Sequence, residues 1–275
     1  LQTSETIEDL IARKRYREAL RLANEEVKRH PGNHRYLNLC ADIYLLLRKE
    51  DAAARMLRHV AELHAASGAP AKAVVALKKV QRIGRGDASM YEAVASRIEG
   101  EETAVGHPPL LEDVPLETVE IPLQPPPEMR AVDEEPVVDK GVRSPLFDDF
   151  SRDELLAFIK GLQLQIYDPG DIIVAEGDPG DSLFILTSGI VKAFVRDREH
   201  RYKKVRTMHD GDFFGEISIF SGGRRSATIT AATRCELLEL DRPTLDSITA
   251  SHPGVNEVMR RFYQERVASD RALNL

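Results

Sequence analysis

Residues 211–230, GDFFGEISIFSGGRRSATIT, form an apolar segment that carries, beyond Asp212 at its edge, one carboxylate, Glu216, and nine positions later an arginine, Arg225. Charges inside an apolar run need partners, because burying an unpaired charge is costly. Gly215 frees the backbone ahead of EISIF, a stretch long enough for one or two helical turns. The unbonded N–H groups at such a start attract an anion. Gly222 and Gly223 let the chain turn back, so Arg225 and Ser226 are expected to face the same place from the head of the next strand. An arginine fork suits a phosphate and contributes roughly 1.5–3 kcal/mol per charge-assisted bond. A carboxylate beside that anion is repelled unless it accepts from a hydroxyl, such as a ribose 2′-OH. The pair calls for a ligand with a phosphate and a sugar hydroxyl about one ribose apart. A nucleotide monoester or a cyclic monophosphate has both.

Other chemistry is sparse. His30 and His34 are four apart, but Pro31-Gly32 breaks the helix that a metal pair at that spacing requires. No Ser/His/Asp or Cys/His arrangement can be drawn, so we expect no enzyme, no metal and no cofactor. RDREHRYKKVR (196–206) concentrates six basic residues. It reads as a solvated face at a hairpin tip, or as a seat for an acidic partner such as the linker described below. Cys40 and Cys235 lie far apart and are expected to be reduced thiols.

These residues need elements to position them, and the charge distribution divides the chain. Residues 1–99 hold 18 Lys/Arg against 13 Asp/Glu, residues 100–140 hold 2 against 11, and residues 141–275 hold 18 against 21. The net charge of −7 argues against general nucleic-acid affinity. No apolar run approaches the ~18–20 residues of a membrane span, and no signal-peptide pattern is seen. The expected compartment is the cytoplasm.

The expected fold class is α + β, multidomain. In residues 1–99, IEDLIARK, YREALRLANEEVKRH, RYLNLCADIYLLLRK, DAAARMLRHVAELHAA, PAKAVVALKKVQRI and ASMYEAVASRI space their apolar positions for helices, with Pro and Gly confined to the breaks. Helical hairpins stacked as a solenoid fit this pattern. Residues 100–144 are acidic and proline-rich, and LQPPPEMRAVDEEPVVD has no core-forming pattern. They are expected to be an extended linker, or an arm docked through Leu110, Leu111, Val114, Leu116, Val119 and Ile121. From residue 145 onward, a capping box at Ser151/Glu154 opens a short helix, RDELLAFIKGL. LQIY, DIIVA, SLFILTS, GIVKAFVR, KKVRTM, SATITAAT and CELLELD follow as short strands of a β-barrel or jelly roll. After Pro243 the pattern returns to helix, with Val255, Val258, Met259, Phe262 and Val267 on one apolar face.

Two resemblances add to this. Ala19 and Ala53 are 34 residues apart, the tetratricopeptide period, and Ala41, Tyr44 and Pro31 fall where that family packs and ends its helices. The third unit departs, since Ala73 follows Ala53 by only 20 residues; the helix over 50–67 then serves two hairpins, or the likeness is to helical pairs in general. Residues 146–270 resemble the cyclic nucleotide-binding domain. FGEISIFSGGRRSAT keeps Phe214, Gly215, Glu216, Arg225, Ala227 and Thr228 at that family's spacing, and Gly170, Gly177, Asp178, Gly180, Phe184 and Gly189 match upstream. Arg224 departs, standing where many members have proline.

The resemblance implies that Glu216 holds the ribose 2′-hydroxyl and Arg225 the cyclic phosphate. Phe214, Gly215, Ile217, Ser218, Ser226 and Ala227 complete the cassette, and the helix from 253 covers the base. The expected function is a non-enzymatic sensor of cAMP or cGMP that acts on a protein partner through residues 1–99. The alternative is a scaffold whose sensor fold is silent or reads another anion, such as a cyclic dinucleotide. DNA binding is not expected, since only a few residues follow the last helix.

Overall fold

The computed structural model describes residues 6–30, 33–99, 147, 150–197, 199 and 201–272, without the side chains of 262 and 265–272. The expected linker and its candidate docking residues lie outside the described residues. So do Pro31 and the side chains of Phe262 and Val267.

The N-terminal half is helical: α1 (Ile7–Ala12), α2 (Tyr16–Arg29), α3 (His34–Leu46), α4 (Glu50–Ala66), α5 (Pro70–Arg82) and α6 (Ala88–Ile98). Each start has a local cause. Thr6 and Asp9 form a capping box on α1, Asn33 accepts from the Arg35 N–H on α3, and Asp87 accepts from the Met90 N–H on α6. Pro70 opens α5, where its missing N–H costs nothing. Small residues then let the helices approach closely: Ala19, Ala23, Ala41, Ala53, Ala61, Ala73 and Ala95 are all fully buried. Neighbours in sequence pack on one another, and α4 contacts α3, α5 and α6. One long helix thus serves more than one pairing.

The C-terminal half begins with α7 (Arg152–Gly161), where Glu154 returns to the Ser151 N–H at 2.9 Å. Its strands are β1 (Gln163–Tyr167), β2 (Ile172–Val174), β3 (Ser182–Ser188), β4 (Val191–Arg196), β5 (Tyr202–Met208), β6 (Phe213–Phe214), β7 (Thr228–Ala231) and β8 (Cys235–Asp241). They form two antiparallel four-stranded sheets, in the orders β1-β8-β3-β6 and β2-β7-β4-β5. The two-residue β6 has no pattern of its own in the sequence. It exists because Phe213 and Phe214 pair with Ile185 and Phe184.

The apolar run of β3 is explained by burial on both faces. Phe184 and Leu186 point into the core between the sheets, together with Phe214, Cys235 and Leu237. Leu183 and Ile185 point the other way, into a second core with Leu164, Leu238 and Leu240 and with the helices. That outer face is covered by α7 and α9 (Arg242–Ser251) and by α5 of the N-terminal half. Lys78 Nζ of α5 donates to the Lys160 carbonyl at 2.9 Å, and Lys79 pairs with Glu236 on β8 at 2.7 Å. Arg82 donates to the Leu164 carbonyl, and α6 packs on α7. The two halves therefore meet directly, through a shared apolar core with a basic helix face above it.

α8 (Glu216–Ser221) joins β6 to the turn before β7, and α10 (Pro253–Ala272) packs on α7, α8 and α9. Val255 and Met259 of α10 are buried in the helical core, with Val258 partly buried beside them. Tyr263 lies 5.4 Å from the Phe220 ring of α8. No helix among the described residues is long and apolar enough to cross a membrane.

Candidate functional site

The chain reaches the site through Gly215, whose φ of 90° favours glycine. A Cβ there would lie 2.5 Å from the Ser182 carbonyl oxygen and 2.6 Å from Arg225 Nη1, so the position is closed to side chains on both counts. α8 then runs for six residues and stops at Gly222, whose φ is 68°.

Opposite α8, the turn between β2 and β3 is laced to the segment before β7. The Gly177 N–H donates to the Arg225 carbonyl at 2.9 Å, and the Arg225 N–H donates to the Asp178 carbonyl at 2.8 Å. Arg224 Nη1 reaches the Gly177 carbonyl at 2.6 Å, which gives this unusual residue a role in clamping the turn. Gly180 comes so near α8 that a Cβ would lie 1.9 Å from the Ser218 Cβ.

Between these segments lies Arg225, 6% exposed. Its Nη1 donates to the Ser182 carbonyl at 2.7 Å and to Ser218 Oγ at 3.1 Å, and its Nη2 donates to Ser182 Oγ at 2.9 Å. Its Nε is buried and has no acceptor among the described residues. A guanidinium has five N–H donors, so donor capacity remains for a further oxygen acceptor. The guanidinium carbon lies 5.8 Å from the Phe184 ring centre, and Phe184 stacks on Phe214 at 5.1 Å.

Burial pushes the Arg225 pKa below its ordinary value, while Asp181, Glu239, Glu216 and Asp178 act in the opposite direction. Glu216 is itself buried, at 7% exposure. The site is a buried cation bonded to neutral oxygens and surrounded by carboxylates, with the buried Nε–H among its unused donors. An oxyanion accepting from that N–H satisfies it.

Of the residues expected at the site, Gly215, Glu216, Ser218 and Arg225 come together. Phe214 lies behind them, its ring in the core between the sheets. Ile217 is 40% exposed and Ala227 is half-buried. The sequence led us to expect Arg225 and Ser226 to face the same place; instead Arg225 is buried and Ser226 is exposed. The chain bends at Ser226 and Ala227 before β7 begins, and the Ser226 side chain is left at the surface. The hydroxyls on Arg225 belong instead to Ser218 and Ser182. Ser182 escaped the sequence reading; its signal was a small polar residue heading an apolar strand just after Gly180-Asp181.

Two antiparallel sheets, a short helix between glycines, and a buried arginine and glutamate around it define the class. Residues 164–252 match the family described as the cyclic nucleotide-binding domain, and the C-terminal half of this chain contains a domain of that family. A CRP-like cAMP-activated global transcriptional regulator of Mycobacterium tuberculosis is 34% identical over 125 residues, covering 46% of this chain and 56% of that protein. The potassium/sodium hyperpolarization-activated cyclic nucleotide-gated channel 2 of Mus musculus is 31% identical over 127 residues, covering 46% of this chain and 14% of the channel. The chain thus spans about half the length of the bacterial regulator and far less of the channel. Among solved structures, the catabolite activator protein of Thermus thermophilus is similar at a TM-score of 0.43 and 29% identity, over 48% of this chain and 62% of that one.

Proposed function

We propose that this chain is a non-enzymatic, cytoplasmic sensor of cAMP or cGMP that acts on a protein partner through residues 1–99. The cyclic phosphate accepts from Arg225, including the Nε left without an acceptor, and the ribose 2′-hydroxyl donates to Glu216. α10 closes over the base. No nucleic acid and no cofactor take part in this reading. The observation that carries it is the buried Arg225 with an unused N–H beside the buried Glu216, inside a domain of the nucleotide-binding family. The N-terminal half is read as a tetratricopeptide-like interaction module. Ala19 and Ala53, 34 residues apart, are both fully buried, and α4 is shared between pairings.

One feature favours a silent site: Arg225 already makes three hydrogen bonds to Ser182 and Ser218. Calorimetric titration with cAMP, cGMP and a cyclic dinucleotide separates the two readings. The sensor reading expects micromolar or tighter binding of a cyclic mononucleotide, about −8 kcal/mol, and a loss of at least about a hundredfold in Arg225→Ala. Absence of binding at millimolar nucleotide refutes it and leaves the scaffold.

A further inference from the structure

α5 presents four cations, and each meets the C-terminal half. Lys72 pairs with Asp210 at 3.3 Å and Lys79 with Glu236 at 2.7 Å, while Lys78 and Arg82 donate to the Lys160 and Leu164 carbonyls. The contacts fall on β8, on the turn before β6, on the end of α7 and on the start of β1. β8 and the turn before β6 bond directly to β3, which holds Arg225, while β1 and α7 stand one element further off, behind β8 and α9.

Two connected paths join that arginine to α5. The first runs along the sheet. Arg225 is bonded to Ser182, the first residue of β3; β3 is paired with β8 along its length; β8 carries Glu236. Near the far end of that pairing, Thr187 Oγ1 donates to the carbonyl of Glu236 at 2.8 Å. The second runs through helices. Arg225 is bonded to Ser218 of α8, the next carbonyl of α8, at Ile219, accepts from Arg242 of α9, and α9 packs on α7. The Lys160 carbonyl of α7 then accepts from Lys78.

We propose that docking of the basic face of α5 is linked in free energy to occupation of the Arg225 site, so that the helical half sets the affinity of the nucleotide site. This rests on the nucleotide reading above. A phosphate that accepts from Nε competes with Ser182 and Ser218 for the direction of the guanidinium. Ser182 heads a strand that is buried on both faces, and tightly packed elements of this kind pass on small shifts instead of absorbing them. Linkage is reciprocal, so whatever nucleotide does to α5 docking, disturbing α5 docking does to nucleotide affinity by the same factor.

The test is calorimetric titration of the full chain with cAMP and cGMP in wild type, Lys79→Glu, Glu236→Lys and the double exchange, with thermal melts to establish folding. Each single reversal is expected to change the nucleotide Kd at least about fivefold, and the double exchange to return it to within about twofold of wild type. If a reversal does not fold, Lys79→Met and Glu236→Gln remove the attraction without adding repulsion, and a shift of about threefold is then expected. Dissociation constants within about twofold of a binding-competent wild type in every variant overturn this inference alone, as does a double exchange that restores nothing. Wild type that takes up no nucleotide overturns the sensor reading and this inference with it.

Discussion

Gly180→Ala is the substitution that most directly tests how the site is built. Its Cβ would lie 1.9 Å from the Ser218 Cβ, 2.5 Å from Ser218 Oγ and 2.8 Å from the Gly223 carbonyl oxygen. Ordinary contact begins near 3.4 Å, so α8 and the turn before β3 must separate by about 1.5 Å. Ser218 Oγ now accepts from Arg225 at 3.1 Å, and a displacement of that size takes it beyond hydrogen-bonding range. Overpacking of about 1–3 kcal/mol adds to the loss of one bond to a charged group, about 1.5–3 kcal/mol, for a total of roughly 2.5–6 kcal/mol. In a chain of this size that lowers Tm by roughly 5–25 °C. Differential scanning calorimetry reads the stability, and nucleotide titration reads the site, where affinity should fall at least about tenfold. Gly177→Ala in the same turn is the control. Gly177 has φ +90° with open space around it, so alanine there adds backbone strain without pushing on α8. An unchanged Tm and unchanged affinity in Gly180→Ala would refute the close approach from which the site was argued.

Burial pushes the Lys78 pKa down to about 8, where it donates to the Lys160 carbonyl and lies 5.2 Å from the Tyr91 ring centre. The unfolded chain then holds more protons than the folded one between pH 8 and about 10.4, so urea-measured stability should rise with pH across that window and fall back as pH drops through 8. Lys78→Met should abolish the rise. Burial pushes the Cys40 thiol up to about 12, and the buried Cys235 thiol is raised as well, also chiefly by burial. Neither should react with a thiol reagent at pH 8 in the native chain, and both should react once it is unfolded; rapid labelling of native Cys40 would contradict its place in the helical core.

Much of the architecture is legible in the sequence because it rests on local signals. Helical spacing, the Ser151/Glu154 capping box and Pro70 marked α7 and the N-terminal helices to within a few residues. The glycine-bounded EISIF stretch marked α8. β6 was not legible, since two residues carry no periodicity and become a strand only when Phe184 and Ile185 are brought alongside. Within the site, Glu216 and Arg225 were legible because charges in an apolar run demand a reason. Ser182 was not, because its contact with Arg225 spans 43 residues, and a small polar residue at the head of an apolar strand does not name its partner.

The sequence by itself determined which segments other than β6 are helix and strand, and that a carboxylate and an arginine are offered together from one apolar segment. Both follow from short-range chemistry: the periods of apolar residues, the freedom of glycine, and the cost of a buried charge. The tertiary structure alone decided which hydroxyls hold the arginine, Ser182 and Ser218 and not Ser226. It alone decided that the charged face of α5 is spent on the C-terminal half, with Lys79 against Glu236 and Lys78 against Lys160. A charge pattern shows that a face is basic. Which face of another element meets it is fixed by how two apolar surfaces close over a shared core, and no local stretch of sequence carries that information.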